Sequence, residues 1–221
     1  MATVQDILDG AVGRSAASRL DRLEVDAPEL LRVVQRALSR LYLFAARRRA
    51  STFAQSVVVP YQSTAPLGWP FPADLLSLLR VEFASGGGEV AVTRLDDRAG
   101  MYPMPAVAEF GRALVVCGNS GDPTNEDLRL YYAASAPTLA ATSTPIPTAF
   151  PEMFHPLLEL AVATYLARKE ARTDDLATFS AEESEWQAYF DAWLTDASIA
   201  PGDRFAGFRP AQVSAASDDG A

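Results

Sequence analysis

Residues 144–170 read TPIPTAFPEMFHPLLELAVATYLARKE, and the fold turns on how they are read. Pro145, Pro147 and Pro151 fall close together and lead straight into an apolar, alanine-rich run. Proline fixes φ, so this lead-in is stiff and extended, and ordering it costs less entropy than ordering a flexible path. Behind it, Leu157, Leu158, Ala161, Val162, Tyr165 and Leu166 cover most of a helical circumference. Such coverage predicts a buried central helix rather than a surface one. Pro151 or Pro156 can occupy a first helical turn; if Pro151 begins the helix, Pro156 removes one backbone bond and kinks it. The stretch predicts a chain that travels back, along a stiff path, into a helical core.

The region it returns from has β texture. TFAQSVVVP, from Thr52, is β-branched and extended, and YQSTAPLGWPFP is a proline-rich loop. LLSLLRVEF starts as a helical turn and ends as a strand, and GGGEVAVTR is a glycine turn leading into an alternating strand. RALVVCG and LRLYYAAS are two further strands separated by the turn-rich NSGDPTNED. Alternating runs joined by short turns predict antiparallel β structure. The region it returns to is helical. Val4, Ile7, Leu8 and Ala11 mark a short helix over 4–12 that Gly10 and Gly13 weaken or end. Asp26 is placed as an N-cap with Glu29 three residues later, and Leu30, Leu31, Val34, Leu38, Leu41 and Phe44 or Ala45 form one stripe as far as Arg47. The three cations Arg47, Arg48 and Arg49 suit the negative end of the helix dipole. They are either a solvated helix end or a contact for an acidic partner or phosphate.

After the central helix, Thr173 can cap a last helix whose Leu176, Phe179, Trp186, Phe190 and Trp193 make an aromatic stripe. Trp186, Phe190 and Trp193 are candidates for core or subunit packing. Glu182, Glu185 and Asp191 point elsewhere, while Glu183 falls on the stripe without an evident reason. Pro201 and Gly202 then stop regular structure, and Phe205 and Phe208 stand isolated in a small, polar tail. The predicted fold class is therefore mainly α with an inserted antiparallel β sub-domain: a helical bundle, a small β domain and an extended C-terminal tail. The boundaries are N-terminal bundle helices over 1–50, the β insertion over 51–136 and the proline-rich return over 137–151. C-terminal bundle helices follow over 152–195, and the tail over 196–221.

Composition narrows the function. Of 221 residues, 49% are hydrophobic and 21% charged, enough apolar material for a core. The net charge of −9 gives no general attraction to nucleic acid or anionic membrane. Cys117 is the single cysteine, so neither a disulfide framework nor a thiolate metal cluster is expected. The first residues lack the basic segment and apolar run of a signal peptide, and no apolar run is long enough to span a membrane.

Sites for chemistry are hard to find. His155 is the single histidine, so the H-E-x-x-H type of zinc site is out of reach, and there is no G-x-S-x-G elbow to nominate a serine. SGGGEV lacks the ending of a phosphate loop, and NSGDPTNED lacks the ligand spacing of a calcium loop. Glu182, Glu183, Glu185 and Asp191 fit a solvated acidic face better than an acid/base pair. No catalytic residue, metal or cofactor is expected; the pattern points to assembly rather than turnover.

The order of elements resembles the head-to-tail adaptor (connector, neck) proteins of tailed bacteriophages. The likeness lies in VQDILDGAVGR as the opening helix, DAPELLRVVQRALSRLY as the long second helix, and WPFPADLLSLLRVEF leading into the insertion. It is most telling in LRLYYAASAPTLAATSTPIPTAFPEMFHPLLELAVATYLARKE, a strand with Tyr-Tyr, a linker and a proline-led helix. The resemblance covers residues 3–195, in layout and loose pattern rather than strict motif. It implies a structural virion protein, not an enzyme, that forms a ring with copies of itself, commonly twelve, beneath the portal protein. The ring would extend the channel through which double-stranded DNA passes without sequence-specific binding, and would carry a downstream neck or tail protein. Its place would be the virion neck, and the host cytoplasm during assembly, with no membrane partner. On that basis Arg204, Phe205, Phe208 and Arg209 are candidate portal-docking residues, with the phenylalanines as anchors and the arginines at their rim. Another neck component, a tail-completion or stopper protein, is the first alternative. An enzyme with an unrecognised site or a small-ligand-binding module is the second.

Overall fold

The proline-led stretch enters the helical core in two steps. In the computed structural model, which describes residues 2–14, 27–48, 53–63, 68–86, 88–93, 106–117 and 126–196, Pro151 caps a single 3-10 turn, Glu152–Phe154. The central helix then starts afresh at His155 with Pro156 in its first turn, where a missing N–H leaves no bond unmade. The two prolines therefore divide the work, and Pro156 kinks nothing.

Among the described residues, four α-helices and two small sheets make a mixed α/β fold. The helices are α1 (Val4–Arg14), α2 (Ala27–Arg47), α3 (His155–Lys169) and α4 (Thr173–Asp196). The strands are β1 (Ala54–Val59), β2 (Trp69–Pro70), β3 (Leu75–Phe83), β4 (Ala91–Thr93), β5 (Ala106–Phe110), β6 (Ala113–Cys117) and β7 (Leu128–Ala134). Helix α3 is buried nearly all round, with Leu157, Leu158, Leu160, Val162, Ala163, Leu166 and Ala167 inside, and α1, α2 and α4 pack against it. Each leucine or valine among them contributes about 1.5–3 kcal/mol on burial. The α3–α4 turn passes through Ala171 at φ 55°, and Arg172 pairs there with Glu170 (2.6 Å) and Asp175 (2.7 Å).

Helix α1 runs to Arg14, through both glycines that were expected to weaken or end it. Gly10 leaves room there for a side chain of α3: a Cβ would stand 2.7 Å from the Glu159 carboxyl, the group that pairs with Arg14. Thr3 and Asp6 cap the N-terminus reciprocally, with the Thr3 N–H donating to Asp6 (2.7 Å) and the Asp6 N–H to Thr3 Oγ1 (3.3 Å). The carbonyls of Thr144 and Thr142 accept the N–H groups of Val4 (3.0 Å) and Gln5 (2.8 Å). The proline-rich return is thus also a strap over the start of α1, and it buries Leu139, Ile146 and Phe150 in the helical core. In α2, Ala45 takes the inward position and Phe44 is exposed. Tyr42, outside the predicted stripe, is buried against Phe53 at 4.6 Å, and burial pushes its hydroxyl up to about 12. Asp26 lies outside the described residues; Glu29 instead binds α3, accepting from the Tyr165 hydroxyl and from Lys169 (2.7 Å).

The β region departs from expectation in three places. Segment Leu75–Phe83 is strand throughout, with no helical turn. Two strands were not foreseen: β2 lies inside the presumed proline loop, and β5 lies between two expected strands, in a segment given no assignment. The sheets are ordered β1-β7-β3 and β2-β6-β5-β4, and β4 pairs with β5 in parallel, contrary to an all-antiparallel expectation. Trp69, Val81, Val107, Leu114, Leu128 and Leu130 form a second core, separate from the helical one. Trp69 is fully buried, donates its indole N–H to the Glu126 carbonyl (3.1 Å) and meets Tyr61 edge-on. Gly68 makes this packing possible: its φ is 110°, and a Cβ would come within 2.0 Å of the Leu114 carbonyl oxygen.

Candidate assembly surface

Three features bear on the candidate surface: an aromatic hub and a set of ion pairs that fix the helices, and a cationic groove that they leave open. The hub is centred on Phe190, 1% exposed. Its ring meets Phe154 edge-on at 4.9 Å and lies 5.9 Å from Trp193, 6.2 Å from Phe150, 6.3 Å from Phe44 and 6.5 Å from Phe53. Phe53 stands where the chain leaves the helices for the β region, and Phe150 where it comes back. One side chain therefore gathers the exit, the return and the last helix. Trp186 and Trp193 are half-buried beside it, and Leu194, which the aromatic pattern passed over, is buried with Phe190.

The ion pairs change the account of the acidic helix. Arg14, at the end of α1, binds Glu159 of α3 at 2.7 Å and Glu182 of α4 at 2.6 Å. Burial disfavours its charge, but the two carboxylates outweigh that and hold the guanidinium above its ordinary value. Arg48 reaches Asp191 of α4 at 2.7 Å and lies over the Phe44 ring. Glu182 and Asp191 are thus half-buried partners within the fold, not a solvated face. Arg47 is exposed, and Arg49 lies outside the described residues. The Lys169 ammonium and the Tyr165 hydroxyl hold Glu29 below its ordinary value.

The groove lies between α2 and α4, with α3 as its floor, and encloses about 280 Å³. Arg36 and Arg40 of α2 and Arg168 of α3 line it, and all three are exposed. Glu183 forms part of the opposite wall, which accounts for an acid on the inward stripe of α4: at this level the helix faces the groove and not the core. Nothing in the one-dimensional pattern distinguishes those two surroundings.

The remaining sequence candidates have other settings. His155 is half-buried and stacked on Phe150 at 6.0 Å; burial lowers its affinity for a proton, against the pull of Glu152, Glu159 and Asp6. Among the described residues no group of three or more His, Cys, Asp or Glu stands close enough to hold a metal. Of the NSGDPTNED turn, Glu126 and Asp127 are described, and Glu126 accepts from the Ser85 hydroxyl at 2.8 Å. Arg204, Phe205, Phe208 and Arg209 lie outside the described residues. No helix among the described residues is long and apolar enough to cross a membrane.

No curated protein matches the chain. A family model described as SU10 adaptor protein, however, matches residues 2–214, from the strap-bound N-terminus through all four helices and both sheets. On a match of that extent, the chain belongs to the SU10 adaptor family.

Proposed function

We propose that this adaptor is a head-to-tail connector of a tailed bacteriophage: copies form a ring beneath the portal, extend the DNA channel and offer a platform for tail attachment. The observation that carries the proposal is adaptor-family membership over residues 2–214. The fold is consistent with it. The helices before and after the strands share one core, and the sheets hold another. This suits a bundle over 1–50 and 152–195 with an inserted β sub-domain over 51–136, the return over 137–151 and a tail over 196–221. The bundles would pack side by side in the ring, with the β sub-domains turned to the next neck component.

The role is thermodynamic rather than catalytic. A repeated contact between two different faces closes into a ring when the rotation per copy divides the circle. A net charge of −9 per copy suits a channel through which DNA moves without sticking. Docking on the portal is assigned to Arg204, Phe205, Phe208 and Arg209, with aromatic anchors in apolar pockets and cations at their rims. The working location is the virion neck. The test is co-purification with portal protein from infected cells, imaged by electron microscopy, beside a variant truncated before Arg204. A collar on portal-bearing capsids that disappears with the truncation is the expected result. Full portal binding by the truncated chain overturns the docking assignment, and no association with portal or capsids overturns the connector role.

A further inference from the structure

The charges of α2 and α4 do not balance within one copy. Arg36, Arg40 and Arg168 line the groove, yet none has an ion-pair partner among the described residues. Glu183, on the facing wall, accepts from Gln187 at 3.1 Å and pairs with none of them. On the floor, Thr164 is 7% exposed and its Oγ1 has no hydrogen-bond partner. A buried hydroxyl without a partner is costly, whereas the three exposed guanidinium groups are hydrated in an isolated copy and are available to carboxylates arriving from outside.

Helix α4 supplies such acceptors. It carries seven acids and no lysine or arginine. Asp175, Glu182 and Asp191 are engaged with Arg172, Arg14 and Arg48. Asp174 and Glu185 are exposed and have no cation within ion-pair distance among the described residues. They lie three turns apart on the side of α4 that faces away from α3, about 16 Å along the axis. The exposed Ala177, Ala181 and Ala188 share that side. Their small side chains allow a helix to sit close where Ala37 of α2 and Ala161 of α3 line the groove.

We propose that the groove between α2 and α4 receives the outward, acidic face of α4 from a neighbouring copy, so that Arg36, Arg40 and Arg168 meet Asp174 and Glu185. The contact joins two different faces of the chain, which is the kind that propagates around a ring. It rests on the ring reading above and adds to it which faces meet. Phosphate of passing DNA is a poorer occupant, because a chain of net charge −9 exerts no general attraction on it, whereas the alanine-rich face of α4 also fits the small side chains at the groove.

Two charge-reversed chains test the proposal: Arg36→Glu with Arg40→Glu, and Asp174→Arg with Glu185→Arg. All four side chains are exposed, and unchanged circular dichroism and melting temperature establish that each variant folds. Assembly on purified portal rings is followed by mass photometry at low and high salt. Each variant alone is expected to bind the portal without the cooperative filling shown by the wild type, with neighbour affinity down about tenfold or more. An equimolar mixture is expected to recover ring filling, because acidic grooves then meet basic α4 faces in alternation. Undiminished cooperativity in both single variants overturns the groove contact while leaving the connector role intact. Loss that the mixture does not restore also overturns it, and if the groove variant has then lost binding to short duplex DNA, the groove belongs to DNA. Wild-type chains that bind the portal without neighbour cooperativity refute ring and groove contact together.

Discussion

Replacing Phe190 by alanine removes the one ring that touches the exit from the helices, the return to them and the last helix together. The side chain is 1% exposed and is surrounded by Phe150, Phe154, Trp193, Phe53 and Phe44 at 4.9–6.5 Å between centroids. Burying a phenylalanine and then deleting it to a methyl costs about 3–5 kcal/mol, because rigid neighbours do not fill the space. Each well-placed aromatic pair adds about 0.5–1.5 kcal/mol to that, so the upper half of the range is expected here. For a chain of this size 1 kcal/mol moves the melting temperature by about 2–4 °C, so the loss should read as a fall of about 8–20 °C. Phe190→Leu keeps most of the apolar area and should lose about a third as much. Thermal unfolding followed by circular dichroism gives the magnitude, and hydrogen exchange gives its distribution. Amides of α3 should lose protection, while those of β7 at Leu128 and Leu130, in the separate sheet core, should keep theirs. A fall of less than about 3 °C would refute the hub. An equal loss of protection in β7 would show that the two cores open as one.

Three further outcomes follow from the same contacts. Gly68→Ala forces a Cβ onto the Leu114 carbonyl at a positive φ, so a loss of about 3 kcal/mol or more is expected, with exchange protection falling at Leu114; an unchanged melting temperature contradicts the close approach. Arg14→Gln leaves Glu159 and Glu182 half-buried without their cation and should cost about 1–2 kcal/mol, read as faster exchange in α1, whereas unaltered exchange there argues that the pairs are incidental. His155 has a folded-state pKa lowered from 6.5 by burial, so the unfolded chain takes the proton first. Stability should therefore be level above that value and fall as the pH drops below it, ahead of the separate acid loss from Asp6 and Glu29, whose pKa values are lowered from 3.8 and 4.5. His155→Gln should flatten the first decline and leave the second, and identical pH profiles for the two proteins would remove His155 as its source.

The helices were legible because burial there follows one dimension. Leu30, Val34, Leu38 and Leu41 recur at helical spacing and are all inside, and the crowded circumference of α3 matches a helix packed on three sides. The strands were less legible where their partners, not their own residues, decide the structure. Trp69-Pro70 is a strand only because Gly68 lets it lie against β6, and β5 is defined by its pairing with β6 and β4. The parallel β4–β5 pair follows from a long connection, and connections carry little pattern. The glycines of α1 were expected to weaken or end it because helix propensity is local; the space at Gly10 is taken by the carboxyl of Glu159, 149 positions along the chain.

The candidate assembly surface was legible in composition and not in place. Glu182, Glu183, Glu185 and Asp191 suggested a solvated face, yet Glu182 and Asp191 are engaged with Arg14 and Arg48, which come from other parts of the chain, and Asp175 pairs with Arg172 at the start of the helix. Once those pairs are removed from the count, what remains is an acidic outer face on α4 and an unpaired basic groove beside it. In a chain of net charge −9, three arginines gathered at one groove without ion-pair partners among the described residues are not explained by solubility, since acids alone would serve that better. The proposed contact gives them a surface of opposite sign to meet, and each copy carries one. Charges arranged this way steer encounter and fix register, while the attraction weakens with salt because the groups are exposed. Assembly that depends on salt and on both faces separates this account from one in which the helices meet through apolar contacts alone.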